Sequence, residues 1–439
     1  MEQTLAELNV KFPLHPHPEN KFVEDSLDFL EYLFEPYPQP NFQVRLWEGN
    51  VWGSRIGYRF ALALKHPGAL RKMFQSPSEL ALGEAYIFDD FDIEGNLEES
   101  FALAEFLLSQ ERSLTQKLRL AALLRKLPAT VRPHVVPSQL YLPGIRHSCR
   151  RDQAAVRYHY DLPPEFFALF LDRQLVYSCG YFHTPEEDLD QAQENKLDYI
   201  CQKLRLRPGE RFLDIGCGWG ALVMHASSRY GVESLGITLS EKQAEFAHRR
   251  IRETHVDHCQ VGMSDYRELD TSAPFDKIAS VGMFEHVGEA MLPTYFRRVC
   301  DLLKPGGVFL NHGIARSATY VRMGPSFTDA YVFPDGELAP IHTTVRAAEQ
   351  SMLEVRDVEN LREHYVMTLR HWVDRLQKNA DLARRITDET TYRIWRLYMA
   401  GSAYAFRTGR LALYQTLLVK PRFGESGFPL TRQDWYTKL

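Results

Sequence analysis

Near the middle of the chain an apolar run, Phe212-Leu213-Asp214-Ile215, breaks into three alternating glycines, Gly216, Gly218 and Gly220. Glycine permits a tight strand-to-helix turn and lets a ligand come close to backbone. An acid and a glycine loop at a strand's carboxyl end therefore imply a nucleoside ligand. The surrounding pattern agrees, with helices of roughly a dozen residues alternating with short apolar strands. The strand candidates are Arg211 to Ile215, Glu233 to Gly236, Lys277 to Val281 and Gly307 to His312, with late strands at Leu353 to Val358 and Leu411 to Val419. Strands covered on both faces and alternating with helices predict a mostly parallel, doubly wound α/β sheet of Rossmann-like form.

The first residues follow a different rhythm. Phe42 to Trp47, then the turn Glu48-Gly49-Asn50, and Tyr58 to Lys65 read as strands. Pro67 to Phe74, Ser76 to Tyr86 and Glu98 to Ser109 read as helices, with Asp92-Ile93-Glu94-Gly95-Asn96 as a turn. Prolines at 128, 133, 137 and 143 discourage regular structure. The expected organisation is a small α+β domain over 1–127, a linker over 128–150 and the larger α/β domain over 151–439. A length of 439 residues suits two or three such domains.

Composition excludes some partners. A formal charge of -5 provides no general field for nucleic acid. Arginine is locally dense at Arg146, Arg150, Arg151 and Arg157, which fits either a solvated linker or attraction to anionic headgroups. Glu2 and Glu7 make the start unlike a secretory leader, and no run approaches the ~18 apolar residues of a spanning helix. The expectation is a cytoplasmic protein that touches membrane peripherally. The six cysteines lack paired metal spacing, so no metal site is expected and reduced thiols are the default.

A glycine triplet serves dinucleotide and sulfonium-nucleoside folds alike. Here it follows a D-x-G-x-G-x-G form without the dinucleotide spacing, and Lys304-Pro305-Gly306-Gly307 precedes a late strand. Both favour the sulfonium. Thr238 and Leu239 fall in the turn after the second strand, and Gln243 on the next helix offers an amide to a ribose diol. Asp265, after the third strand, can accept from an adenine amine. Read blandly, Gln243 is a surface glutamine, Asp265 an exposed turn acid and Cys217 a packing residue.

Tyr177-Ser178-Cys179-Gly180-Tyr181, the glycine loop, "GITLSEKQ", "SVGMFEHVG" and "NHGIA" follow one another in the order and spacing of the cyclopropane fatty acid synthase and mycolic acid cyclopropane synthase family. The resemblance covers roughly Asp152 to Val419. It implies a class I S-adenosylmethionine-dependent methyltransferase that cyclopropanates the cis double bonds of unsaturated phospholipid acyl chains, works at the membrane surface and forms a homodimer. It also implies a bound bicarbonate, cradled by Cys179, Glu285, His312, the backbone of Ile314 and Tyr365. Tyr177 and Ser178 match positions at the cofactor's carboxylate end; Asp214, Gly216, Gly218, Gly220, Thr238, Leu239, Gln243 and Asp265 complete the cofactor set. His159 and Tyr160 resemble part of a lid, Phe327 to Pro340 resembles a wall of the acyl tunnel, and His286 is structural support. Ser402 stands where some members carry a cysteine. "GEAYIFDDFDIEGN" resembles a sterol-carrier-like module found ahead of longer members.

The chemistry can be reasoned from its demands. An isolated alkene is a poor nucleophile, so it must be held in line with the sulfonium methyl, away from water. Methyl transfer leaves a carbocation, and ring closure needs a weak base near neutral pKa. Glu285 and His312 both follow strands, where open sheets bind ligands. Glu285 is expected to pair with the anion's hydroxyl proton, because a bare carboxylate would repel it. Singly, each of these residues also reads as an ordinary hydrogen-bonder, a core tyrosine or a packing cysteine. Alternative outcomes of the same chemistry are a methyl or methylene branch. Other classes are a small-molecule N-methyltransferase, or a lipid carrier that senses the cofactor.

Overall fold

The computed structural model describes residues 18–37, 41–129, 146–160, 162–320 and 326–433. It divides into two compact units, Met1–Val135 and Val136–Leu439.

The first unit holds a four-stranded sheet of β1 (Phe42–Arg45), β2 (Val51–Gly53), β3 (Phe60–Leu64) and β4 (Phe91–Gly95), in the order β2-β1-β3-β4. Its central strand β3 is buried along its whole length, and Phe60 stacks on Phe42 of the parallel neighbour at 5.4 Å. The expected turn at Asp92 to Asn96 is instead the end of β4. Phe91 and Ile93 point inward against β3 while Asp92 and Glu94 point outward, so alternation outweighs the turn-forming composition. Gly95 supplies the turn only at the strand's end: its φ is +85° and a Cβ there would lie 2.7 Å from Arg59 O. Two helices not anticipated from the sequence, Pro18–Phe34 and Leu114–Lys126, complete the unit. The second starts in a capping box between Ser113 and Gln116.

The second unit is built on seven strands: β5 (Arg211–Ile215), β6 (Glu233–Thr238), β7 (Cys259–Met263), β8 (Phe275–Val281), β9 (Leu303–Arg316), β10 (Glu354–Asn360) and β11 (Leu411–Val419). Their order is β10-β11-β9-β8-β5-β6-β7, parallel except for β11, which runs against both neighbours. The strand expected at Gly307 to His312 runs on to Arg316 because β11 pairs with it throughout, from Val419–Val308 to Leu411–Arg316. Strand order reverses beside β5, so the carboxyl ends of β5, β6 and β8 open onto one crevice. Over the ends of β9 and β11 lies an aromatic layer, in which Phe166, Phe167 and Phe170 pack with Trp372 and Trp395 from the helices Arg362–Lys378 and Glu389–Arg407.

Residues 146–150, expected to close the linker, pack inside this unit. Arg151 holds Asp335 through two bonds of 2.5 and 2.9 Å, Arg146 also reaches it, and His147 reaches Glu337. Two of the four clustered arginines are thus engaged within the fold, while the side chain of Arg157 lies outside the described residues. Among the described residues no helix is long and apolar enough to cross a membrane.

Candidate active site

The crevice beside β5 is a pocket lined by the glycine loop. Gly216 and Cys217 both donate their amides to Ile237 O at 2.9 Å, folding the loop back onto β6. Gly216 has φ +82°, and a Cβ there would meet Met283 Cβ at 2.8 Å. Gly220, with φ +84°, caps the helix Ala221–Tyr230. Cys217 packs against Gly236, whose added Cβ would stand 2.8 Å from its sulfur.

At one end of the pocket Gln243 is buried. Its Oε1 accepts from Thr238 Oγ1 at 2.7 Å, which leaves the amide Nε2 as the group able to donate. Leu239 lines the same wall. Asp265 is also there, but Arg267 grips both of its oxygens, at 2.9 and 2.6 Å. Burial raises the Asp265 carboxyl and Arg267 outweighs it, so the acid is held below its usual range. Arg267 in turn bonds Asp152 at 3.0 Å. At the other end stands Asp214, next to last in β5, and burial pushes its carboxyl up to about 7. Tyr177, Ser178 and His286 also line the pocket. Burial and then His147 hold His286 down to about 4, so it is neutral. His159 and Tyr160 lie on the helix Cys149–Tyr160, with side chains outside the described residues.

Beyond the pocket, the short 3-10 turn Phe284–His286 follows β8 and carries Glu285. Its Oε1 accepts from the Ile314 amide at 2.8 Å. Gly313 allows this approach, since a Cβ there would sit 2.9 Å from the Phe284 ring. Burial pushes the Glu285 carboxyl up to about 7, and its Oε2 is buried with no partner among the described residues. His312 lies two residues before Ile314 on β9, hence on the same face. Gln415 Nε2 donates to its Nδ1 at 3.2 Å. Burial, then the Lys196 and Lys203 charges, keep the ring neutral; its proton is therefore on Nε2, which is buried with no partner among the described residues.

Cys179 and Tyr365 sit in the aromatic layer against which Ile314 packs. Burial drives the Cys179 thiol far above its usual range, and Thr368 Oγ1 lies 4.0 Å from the sulfur. This thiol stays protonated and is unsuited to attack. The Tyr365 ring lies 4.7 Å from Phe406 and edge-on to Trp372. The segment expected to wall an acyl tunnel touches the same centre: Glu337 N donates to Glu285 O at 3.2 Å, and the Phe333 ring lies 5.8 Å from His286 and 5.7 Å from Tyr398. Cys179, Tyr365 and Ile314 thus share one aromatic cluster, Glu285 is tied to it through the Ile314 amide, and His312 stands two residues before Ile314 on β9.

Residues 147–416 match the family described as mycolic acid cyclopropane synthetase. The chain belongs to that family. It is an S-adenosylmethionine-dependent methyltransferase, on a fold shared with mycolic acid cyclopropane synthase CmaA1 complexed with S-adenosylhomocysteine and CTAB (34% identity, TM-score 0.58, covering 61% of this chain and 97% of that one). It is 37% identical over 90% of its length, and 96% of the other's, to a probable fatty acid methyltransferase of Pseudomonas putida. It is 36% identical, over 68% of its length and 77% of the other's, to cyclopropane-fatty-acyl-phospholipid synthase of Escherichia coli K12. Residues 29–117, which include the stretch resembling a sterol-carrier-like module, match a domain of unknown function (DUF7884).

Four residues of this site were not singled out from sequence: Lys196, Arg267, Tyr398 and Gln415. Arg267 could have been found, because an arginine two residues after an acid at a strand end can close back on it. Gln415 could not, since it is brought opposite His312 only by the pairing of β11 with β9. The Tyr398 ring packs edge-on against Phe333 and Trp395, and Ser402 stands one turn further along the same helix.

Proposed function

We propose that the protein adds a methylene from S-adenosylmethionine across the cis double bond of an unsaturated phospholipid acyl chain, closing a cyclopropane ring. The reading is carried by the pair Glu285–Ile314 and the neighbouring His312: two polar atoms, Glu285 Oε2 and His312 Nε2, are buried without partners among the described residues, next to the aromatic cluster in which Ile314 packs. Buried polar groups left unpaired are costly, so the pair favours a small ligand with both a donor and acceptors. Bicarbonate has that donor set, and held by Glu285, His312, Ile314, Tyr365 and Cys179 it would supply the base that removes the proton from the new methyl.

The chain's own residues do the rest. Glu285, with a carboxyl near neutral, accepts the anion's hydroxyl hydrogen without repelling it. His312 donates from Nε2 and is fixed in that tautomer by Gln415. Tyr177, stacked on Trp372 at 5.1 Å and beside Trp395, presents aromatic faces that exclude water and favour positive charge on the substrate. The Phe327 to Pro340 segment, anchored on the backbone of Glu285, walls the acyl path. Substrate recruitment would occur at a membrane surface, with the first unit contributing to lipid binding and two copies of the chain adding avidity.

A second reading has its own support, because the relative that matches over 90% of the chain is named a fatty acid methyltransferase. On that reading the same carbocation loses its proton to leave a methylene branch, or takes a hydride from a separate reduced nicotinamide or flavin to leave a methyl branch. Pure protein incubated with unsaturated phospholipid vesicles and labelled S-adenosylmethionine, with and without bicarbonate, separates the two. Gain of CH2 with loss of alkene protons and appearance of high-field ring protons is expected. New vinyl protons, or a saturated methyl branch, would establish the second reading instead.

A further inference from the structure

Lys196 lies on the helix Leu189–Leu204 and is 2% exposed, among the largest fully buried side chains of the protein. Its Nζ donates to Ser178 Oγ at 2.9 Å, and it lines the pocket of the glycine loop. Among the described residues no carboxylate comes within ion-pair distance of it. Burial lowers its ammonium to about 8, opposed by the more distant Asp172, Cys179 and Asp214. Asp214 lines the same pocket, and its Oδ1 is buried with no partner among the described residues. A cation and an acid thus share one end of the pocket without touching, and each is costly to bury alone.

The other end is already allotted, to a ribose at Gln243 and a base at Asp265. What remains for the Lys196 end is the amino-acid part of the cofactor, which carries one carboxylate and one ammonium. We propose that Lys196 is a cofactor-binding residue whose ammonium, together with Ser178 Oγ, receives the α-carboxylate of the bound cofactor while Asp214 faces its α-ammonium. The zwitterion supplies both missing counter-charges at once. This assignment rests on the protein using S-adenosylmethionine and is independent of the product it makes. A competing source of the same anionic chemistry is bicarbonate, because the charge of Lys196 is also felt at His312.

Calorimetric titration distinguishes these. In the full-length Lys196→Met variant, S-adenosylhomocysteine should bind about tenfold or more weakly. 5′-Methylthioadenosine, which keeps the nucleoside and thioether and lacks the amino acid, should bind within about twofold of wild type, and so also reports a folded pocket. In wild type, which carries no risk of misfolding, decarboxylated S-adenosylhomocysteine should bind about tenfold more weakly than the intact ligand. Equal loss for both nucleosides in the variant, no loss for S-adenosylhomocysteine, equal wild-type affinity for the decarboxylated ligand, or a loss that added bicarbonate modulates would each overturn the assignment.

Discussion

The main-chain amide of Ile314 donates to Glu285 Oε1 at 2.8 Å, tying β9 to the turn after β8. One oxygen of the acid is thereby fixed, and the other is buried with no partner among the described residues. Replacing Glu285 by Gln preserves the accepted bond and the volume but removes the charge and one acceptor. Methyl incorporation into lipid should fall by about 10²- to 10⁴-fold. Affinity for S-adenosylhomocysteine should stay within about twofold, since Glu285 lies outside its pocket. Labelled-methyl assays and calorimetry read the two quantities; parallel loss of both would mean that the acid only supports the fold.

The buried Asp214 gives the ligand-free protein a pH signature. Its carboxyl is raised to about 7, so the folded state keeps a proton that the unfolded chain releases near its ordinary value of 3.8. Stability therefore falls as pH rises from about 4 to about 7 and levels off above. Thermal unfolding across this window should show a shallower decline in Asp214→Asn. Addition of S-adenosylhomocysteine should stabilise wild type more at the upper end, where Asp214 is charged. A slope unchanged by the substitution would contradict this.

Gly216 is strained for any other residue, both by its φ of +82° and by the 2.8 Å approach to Met283. Gly216→Ala should lose about 1–3 kcal/mol of stability. It should also weaken S-adenosylhomocysteine, because the loop that lines the pocket must shift. Chemical denaturation and calorimetry test the two halves; an unperturbed variant would mean that the loop adapts freely.

Gln415 positions His312 from the neighbouring strand β11. Gln415→Leu removes the donor to Nδ1 and frees the ring to exchange tautomers. Product formation should drop about 10- to 100-fold with cofactor affinity intact. Nitrogen-15 NMR of labelled histidine provides the decisive readout: His312 should show a proton on Nε2 in wild type and a mixed tautomer in the variant. An unchanged tautomer would reduce Gln415 to packing.

Thiol chemistry should be confined to one position. Cys149 is exposed, whereas Cys179, Cys201, Cys217, Cys259 and Cys300 are buried. Iodoacetamide on the native protein should label Cys149 alone, and the rest only after denaturation, as read by peptide mass spectrometry. Labelling of Cys179 in the native state would contradict both its burial and its protonated state.

Local patterns in the sequence carried the catalytic unit well. The glycine loop, the apolar strands and the positions just beyond them are set by residues close together in the chain, where backbone sterics and period-2 or period-3.6 burial operate. Each expected cofactor residue with a described side chain accordingly falls at the pocket or beside it. The first unit was less legible. Asp92 to Gly95 carries turn-forming residues, yet pairing with β3 makes it a strand, because burying Phe91 and Ile93 outweighs the local preference.

What the sequence determined by itself is the alternation of strands and helices in the second unit, the glycine turn, and which side chains stand at carboxyl strand ends. The tertiary structure alone decided how those side chains are paired. Gln415 meets His312 across 103 positions, Ile314 meets Glu285 across 29, and Lys196 meets Ser178 across 18. The physical reason is that burial and hydrogen bonding act through space. Whether an acid is charged, a lysine unpaired or an imidazole held in one tautomer depends on neighbours that only strand pairing and helix packing bring within reach.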